Sequence, residues 1–180
     1  VWNEYSWVDS YQMVKYFSLG LISLGLKPGD KVTIIGDNAP EGYWAEYATQ
    51  AAKGAPVPLY TDAIATEVKY IVNHSDSRFV VAQDQEQTDK FLNLKASGDL
   101  PKVEKIIYWD AKGMWSYEEP ILINFYDVVE LGKEYEKTHP GLFEKNVESG
   151  NGSDICLIVY TSGTSALPKG AIISYSGLIE

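Results

Sequence analysis

The residue types that could do chemistry in this sequence fall together in one run, Tyr160-Thr161-Ser162-Gly163-Thr164-Ser165-Ala166-Leu167-Pro168-Lys169-Gly170. The chemistry they suit is the holding of a phosphate. Gly163 and its small neighbours can aim backbone N–H groups into one anion-accepting concavity, and the hydroxyls of Thr161, Ser162, Thr164 and Ser165 add donors at short reach. Lys169 supplies a compact positive charge. A Walker A loop needs a glycine directly before its lysine and a Ser or Thr after it. Here Lys169 stands between Pro168 and Gly170, so a P-loop NTPase of the common kind is excluded. An ordinary solvated hairpin turn uses the same residue types, and composition alone leaves both readings open.

A phosphate loop needs a rigid stem. Ile155-Cys156-Leu157-Ile158-Val159-Tyr160 is short, apolar and rich in β-branched and aromatic residues, which predicts a buried strand. Upstream, helices and strands alternate. Ser6-Trp7-Val8-Asp9 reads as a capping box with Ser6 as N-cap, and Trp7, Tyr11, Val14, Phe17, Leu21 and Leu24 recur at helical spacing, predicting a helix over 7–24. Gly25 and the turn Lys27-Pro28-Gly29-Asp30 end it, and Lys31-Val32-Thr33-Ile34-Ile35 reads as a strand. Asp37-Asn38-Ala39-Pro40 opens a second helix with Tyr43, Trp44, Tyr47, Ala48, Ala51 and Ala52 on its apolar side, ending near Gly54. A strand from Ala55 to Tyr60 follows, and Pro56 and Pro58 deny it two ladder donors, which sends it to an edge or into a broken stretch.

Ile64, Val68, Ile71 and Val72 mark a third helix, and Arg78 to Ala82 a third strand. Gln85 to Lys95 reads as a polar helix, and Val103 to Trp109 as another strand. The acidic stretch from Met114 to Asp154 holds one expected helix, Phe125 to Lys137, and a loop at Pro140-Gly141, before a flexible approach at Gly150-Asn151-Gly152. Strands separated by helices of this length imply parallel crossovers. The expected fold is therefore α/β, a three-layer, mostly parallel sheet with helices on both faces, forming one domain over 1–180.

Composition narrows the function classes. The hydrophobic fraction is 45%, with five tryptophans and thirteen tyrosines, so this is a globular chain. At this length about 70% of the unfolded surface can be buried. A net charge of −10 speaks against a nucleic-acid partner, because counterion release needs clustered Lys and Arg. Cys156, the single cysteine, can close no intrachain disulfide and reads as a small buried hydrophobe in a reducing compartment. His74 and His139 form no Cys/His cluster and read as surface residues, leaving no zinc site. The charges of 114–154 read as a solvated face, without a carboxylate pair fit for acid/base work. No stretch reaches membrane-spanning length, and no secretory or organellar leader is recognisable after Val1, so the expected location is cytoplasmic. Tyr175 to Glu180 reads as the first turn of a helix that is cut off, so an incomplete fragment of a larger domain is expected.

The loop resembles the Tyr-Thr-Ser-Gly-Thr-Thr-Gly-x-Pro-Lys-Gly signature of the adenylate-forming superfamily. Further segments resemble the amino-terminal part of its long-chain acyl-CoA synthetases, in the family's order: Trp7, Gly25 to Val32, Asn38-Ala39-Pro40-Glu41, Ala51 to Tyr60, and Ile71-Val72-Asn73-His74-Ser75. The resemblance implies the Rossmann-like subdomain of the adenylate-forming amino-terminal domain. It also implies a two-step reaction, in which a fatty acid and ATP give acyl-AMP and pyrophosphate, and coenzyme A then displaces AMP. In that family the residues matching Thr161, Ser162, Gly163, Thr164, Ser165 and Lys169 hold the β- and γ-phosphates, and a hydroxyl matching Thr161 approaches Mg2+. The implied partners are a fatty acid, ATP, CoA and the remainder of the ligase chain, and an apolar substrate leaves room for a peripheral membrane contact. The family's later motifs would lie past Glu180, so this segment is expected to be inactive alone.

Three positions depart from the pattern. Ser165 replaces Thr and keeps the hydroxyl, while Tyr175 stands where many relatives carry a histidine and takes over none of its role. Ala166 stands where Gly is common; were φ positive there, alanine would cost about 1–2 kcal/mol. Two other classes fit the same residues: a non-catalytic nucleotide- or phosphate-binding module, and a related ligase taking an aryl, short-chain or amino acid.

Overall fold

The structure, a computed structural model, describes residues 2–161 and 167–179. Five parallel strands form the main sheet: β1 (Lys31–Ile35), β2 (Ala55–Leu59), β3 (Ser77–Ala82), β4 (Lys105–Tyr108) and β5 (Leu122–Asn124), in the order β2-β1-β3-β4-β5. The crossovers carry α2 (Pro40–Ala51), α3 (Ala65–Ser75) and α4 (Gln85–Ala96), while α1 (Trp7–Ser23) precedes the sheet and α5 (Phe125–Thr138) and α6 (Leu142–Glu148) follow it. A separate antiparallel pair, β6 (Ile155–Thr161) and β7 (Lys169–Ser174), leads to the short α7 (Tyr175–Ile179). The α/β architecture expected from the helix–strand alternation is present.

Alternation along each strand divides the core in two. Val32, Ile34, Phe79, Val81 and Ile107 point to one face, where Phe17 and Leu21 of α1, Trp44, Ala45 and Ala48 of α2, and Phe125 and Val128 of α5 cover them. Ile35, Val57, Val80, Ala82 and Ile106 point to the other, under Val68, Ile71 and Val72 of α3, Phe91 and Leu94 of α4, and Ile158 and Tyr160 of β6. Thr33 is the polar exception inside β1. Its hydroxyl donates to Ser77 Oγ (2.8 Å), Ser77 Oγ shares a hydrogen bond with Ser75 Oγ (2.8 Å), and Ser75 donates to the Val72 carbonyl, so the buried hydroxyls are satisfied. Ala55 N–H donates to the Asp30 carbonyl on the β1 side. The missing donors of Pro56 and Pro58 therefore fall on the unladdered side of β2, which is the edge strand the prolines predicted.

The caps follow the sequence. Ser6 Oγ accepts from Asp9 N–H (3.1 Å) and Asp9 Oδ2 accepts from Ser6 N–H (2.9 Å), closing the predicted box at α1. Asp84 and Asn124 cap α4 and α5 by accepting from Gln87 and Tyr126 N–H. Several expectations are corrected. Trp7 and Tyr11 head the predicted apolar stripe of α1 yet are 91% and 50% exposed, because the helix packs on the core from Met13 onward and is fully buried only from Phe17 to Leu21. Tyr43, Tyr47 and Ile64 are likewise exposed. The stretch 114–154 holds β5 and α6 besides the expected helix, and Pro140-Gly141 is a tight connection into α6, with Gly141 in the left-handed region at φ 76°.

α1 and α5 approach backbone to backbone. A Cβ on Gly20 would meet the Val128 carbonyl, and one on Gly132 the Tyr16 carbonyl, both well under 3.0 Å, and beside them Phe17 and Phe125 stack at 4.0 Å. Gly132→Ala is expected to push the helices apart and lower unfolding free energy by about 2–3 kcal/mol, measured by denaturant titration. A second anchor ties the amino ends of β1 and β3 to the loop before β4. Arg78 pairs with Asp30 and, through two parallel bonds of 2.9 and 2.7 Å, with Glu104. The guanidinium holds the Glu104 carboxyl below its usual range, so Glu104 binds fewer protons folded than unfolded. Stability is thus expected to fall as pH drops from about 5 toward 3, and to fall less steeply in Arg78→Met, read as melting temperature against pH.

Candidate functional site

In an open parallel sheet the usual ligand crevice lies past the carboxyl ends of the strands where the order reverses, here between β1 and β3. That place is filled by the chain's own side chains. Trp109, 8% exposed, lies against Gly36, where a Cβ would meet its ring at under 3.0 Å, and Gln83 Oε1 accepts from Asp37 N–H at 2.6 Å.

The hairpin is fastened at its base. Lys53, itself left-handed at φ 64°, donates to Asp154 Oδ2 (3.1 Å) and the Ser149 carbonyl (3.0 Å), and Asp154 Oδ2 accepts from Asn151 N–H (3.1 Å). Gln50 donates to the Cys156 carbonyl at 3.0 Å, and Ser176 donates from N and Oγ to the Gly152 carbonyl. Above this base, Cys156, Ile158 and Tyr160 turn inward along β6 and are buried, while Thr161 at its tip is exposed. Burial pushes the Cys156 thiol up and raises the Tyr175 phenol to about 12, so both stay neutral near neutral pH.

β7 returns beside β6 in register: Thr161 faces Lys169, Tyr160 faces Gly170 and Val159 faces Ala171. Lys169 is thus the first residue of a strand rather than part of the loop, and it stands directly across from the Thr161 hydroxyl. Both residues are exposed. Ser162, Gly163, Thr164 and Ser165, read from the sequence as phosphate donors, lie outside the described residues, as does Ala166. The two open readings of the run meet here, since the stems are those of an antiparallel hairpin and their tips carry the cation and one of the hydroxyls.

Tyr160 fits Gly170 closely. A Cβ on Gly170 would lie 3.0 Å from Tyr160 Cζ and 3.3 Å from Cε2, so the glycine gives the ring close room, and its own φ is not in the left-handed region. The Tyr160 hydroxyl is hydrogen-bonded to His74 Nδ1 at 2.7 Å. His74 is exposed, as expected from the sequence, but this bond gives it a partner in the fold; no spacing rule links positions 74 and 160. Among the described residues no group of three His, Cys, Asp or Glu could hold a metal. The exposed Thr161 hydroxyl fits Mg2+ as a single ligand, since that ion takes most of its other oxygens from water and substrate phosphates. At the opposite end of β6 a cleft of about 1390 Å³ opens, with Tyr47, Phe143, Val147 and Tyr175 in its wall.

A family model described as AMP-binding enzyme matches residues 1–180. The chain belongs to that family. Among its curated relatives, the long-chain-fatty-acid–CoA ligase ACSBG2 of Xenopus laevis is 27% identical over 177 residues, covering 98% of this chain and 23% of that ligase. The long-chain-fatty-acid–CoA ligase FadD15 of Mycobacterium bovis is 24% identical, covering 100% of this chain and 28% of its own length. This member of the family thus spans about a quarter of such relatives. Solved structures share its fold: the anthranilate CoA ligase AuaEII in complex with anthranoyl-AMP (TM-score 0.76, 22% identity, 96% of this chain, 30% of that one) and ATP-bound MatB from Rhodopseudomonas palustris (0.72, 20%, 98% and 31%). Among the described residues no helix is long and apolar enough to cross a membrane.

The lone thiol gives a direct check on the packing of β6. Cys156 is 2% exposed, so a thiol reagent at neutral pH is expected to modify it only as fast as the hairpin opens, with full reaction in denaturant; immediate stoichiometric labelling of the native chain would contradict this packing.

Proposed function

We propose that this chain is the amino-terminal segment of an ATP-dependent acid–thiol ligase whose acid is a long-chain fatty acid, with the hairpin tip as its polyphosphate holder. The observation that carries the reading is the register that sets Thr161 opposite Lys169 at the two ends of a loop rich in hydroxyls and glycine. The identity to long-chain ligases over almost the whole chain supports the choice of acid.

In the proposed reaction a carboxylate oxygen attacks the α-phosphorus of ATP, and the bond from that phosphorus to the bridging oxygen breaks. Pyrophosphate leaves with the bonding pair. The thiolate of CoA then attacks the acyl carbon and AMP departs. The task of this segment lies in the first step. Lys169 and the hydroxyls of Thr161, Ser162, Thr164 and Ser165, with the backbone at Gly163, grip the β- and γ-phosphates, fix their direction and offset the charge that grows on the leaving group. Mg2+, when bound with the nucleotide, adds charge neutralisation at the phosphate oxygens, and Thr161 is the ligand this chain offers it. Substrate acid, CoA and the remaining catalytic groups belong to the rest of the ligase, so these 180 residues bind without turning over. The cytoplasm is the proposed compartment.

Isothermal titration of pyrophosphate and Mg·ATP into this chain tests the reading. Binding is expected, and Lys169→Ala should weaken pyrophosphate about tenfold at matched ionic strength, with a smaller loss in Thr161→Val. Equal affinity in Lys169→Ala, or pyrophosphate release by the segment alone, would contradict it. On a whole ligase bearing this segment, release driven by palmitate but not by benzoate is expected; the reverse would move the protein to the aryl-acid class.

A further inference from the structure

Tyr160 presents a buried ring with a polar tip, and such a hydroxyl needs a partner. Among the described residues that partner is His74 Nδ1, at 2.7 Å. His74 lies in the last turn of α3 and is held by its own element: its ring stacks on Tyr70, one turn back, with centroids 5.2 Å apart and planes at 25°. Tyr160 meets it edge-on at 5.7 Å and 85°. On its other side the Tyr160 ring occupies the notch left by the missing side chain of Gly170, the residue directly across the ladder. The same ring therefore touches α3 through its hydroxyl and both strands of the hairpin through its body. The residues next to it in β6 and β7 are Thr161 and Lys169.

We infer that His74 is a positioning residue: by holding the Tyr160 hydroxyl it seats the ring on Gly170 and so fixes the spacing and direction of the two stems that carry Thr161 and Lys169. Its consequence for phosphate binding rests on the function proposed above, whereas the mechanical role can be tested without a ligand. Burial of Tyr160 moves its phenol pKa up, so the ring carries its hydroxyl proton at neutral pH. The body of the hairpin packs on β2 and is held to α2 by Gln50, while among the described residues Tyr160 ties its tip to α3 through this hydrogen bond and its edge-on contact with His74.

The test uses His74→Phe, which keeps a ring on Tyr70 without the nitrogen, Tyr160→Phe, their double variant, and His74→Asn, whose amide can restore the bond. Amide hydrogen exchange is read residue by residue on the ligand-free chain. In His74→Phe and Tyr160→Phe, exchange at position 160 and at Thr161, Lys169 and Gly170 should quicken about fivefold to tenfold while β1 and β3 stay unchanged. The double variant should match either single one, and His74→Asn should return toward the parent chain. Pyrophosphate affinity should weaken about fivefold in the same variants. Unchanged stem exchange, an equal rise across the whole sheet, or stems unprotected in the parent chain would each overturn the inference. Absence of pyrophosphate binding by the parent chain would instead sink the functional reading, with hydrogen exchange still deciding the role of His74.

Discussion

A parallel sheet built from β-branched strands presents two apolar faces, and both must be taken from water before the strands gain by pairing. That double requirement organises the molecule. One face is met chiefly by the helices α1, α2 and α5, with α1 and α5 packed so closely that Gly20 and Gly132 leave no room for a side chain. The other is met by α3 and α4 together with β6, which contributes Ile158 and Tyr160. The candidate binding element is thus part of the covering of the sheet. Its inner residues are core residues, and its tip is carried by whatever stability the core supplies.

This arrangement separates rigidity from chemistry along a single strand. Cys156, Ile158 and Tyr160 face inward and hold β6, while Thr161 lies one residue beyond the last buried contact. The returning strand repeats the pattern, with Lys169 exposed and Gly170 beneath the Tyr160 ring. Preorganised donors and charges act best when fixed before a ligand arrives, and here the buried groups are adjacent in sequence to the exposed pair proposed to bind phosphate. The crevice between β1 and β3, filled by Trp109 and Gln83, leaves the main sheet as support.

Much of this was legible in the sequence where local rules suffice. The Ser6–Asp9 box, the strand Lys31–Ile35 and the paired prolines of β2 each follow from a few neighbouring residues, and parallel crossovers follow from their spacing. The misreadings have a common cause. Trp7, Tyr11, Tyr43 and Tyr47 obey helical periodicity, but periodicity states which side is apolar without stating how far the core extends. β5 and α6, at three and seven residues, are too short for a periodic signal. At the site, the loop composition suits a phosphate and Lys169 its cation, which is the role proposed for them. That Lys169 begins a strand opposite Thr161 depends on hairpin register. That Tyr160 reaches His74 depends on folding across 86 positions.

The contacts that fasten β6 have a further consequence for synthesis. Gln50 and Cys156 are 106 positions apart and Lys53 and Asp154 101, so the hairpin docks on strands and helices made long before it. Closing so large a loop in an unfolded chain carries a high entropic cost, which falls once the intervening residues have already compacted into sheet and helices. As the chain emerges from the ribosome, each of β1 to β5 pairs with a strand next to it in sequence or, for β1 and β3, next but one, and the surface that receives Ile158 and Tyr160 is made before those residues appear. The tip proposed to hold phosphate is then set on a platform that no longer has to move.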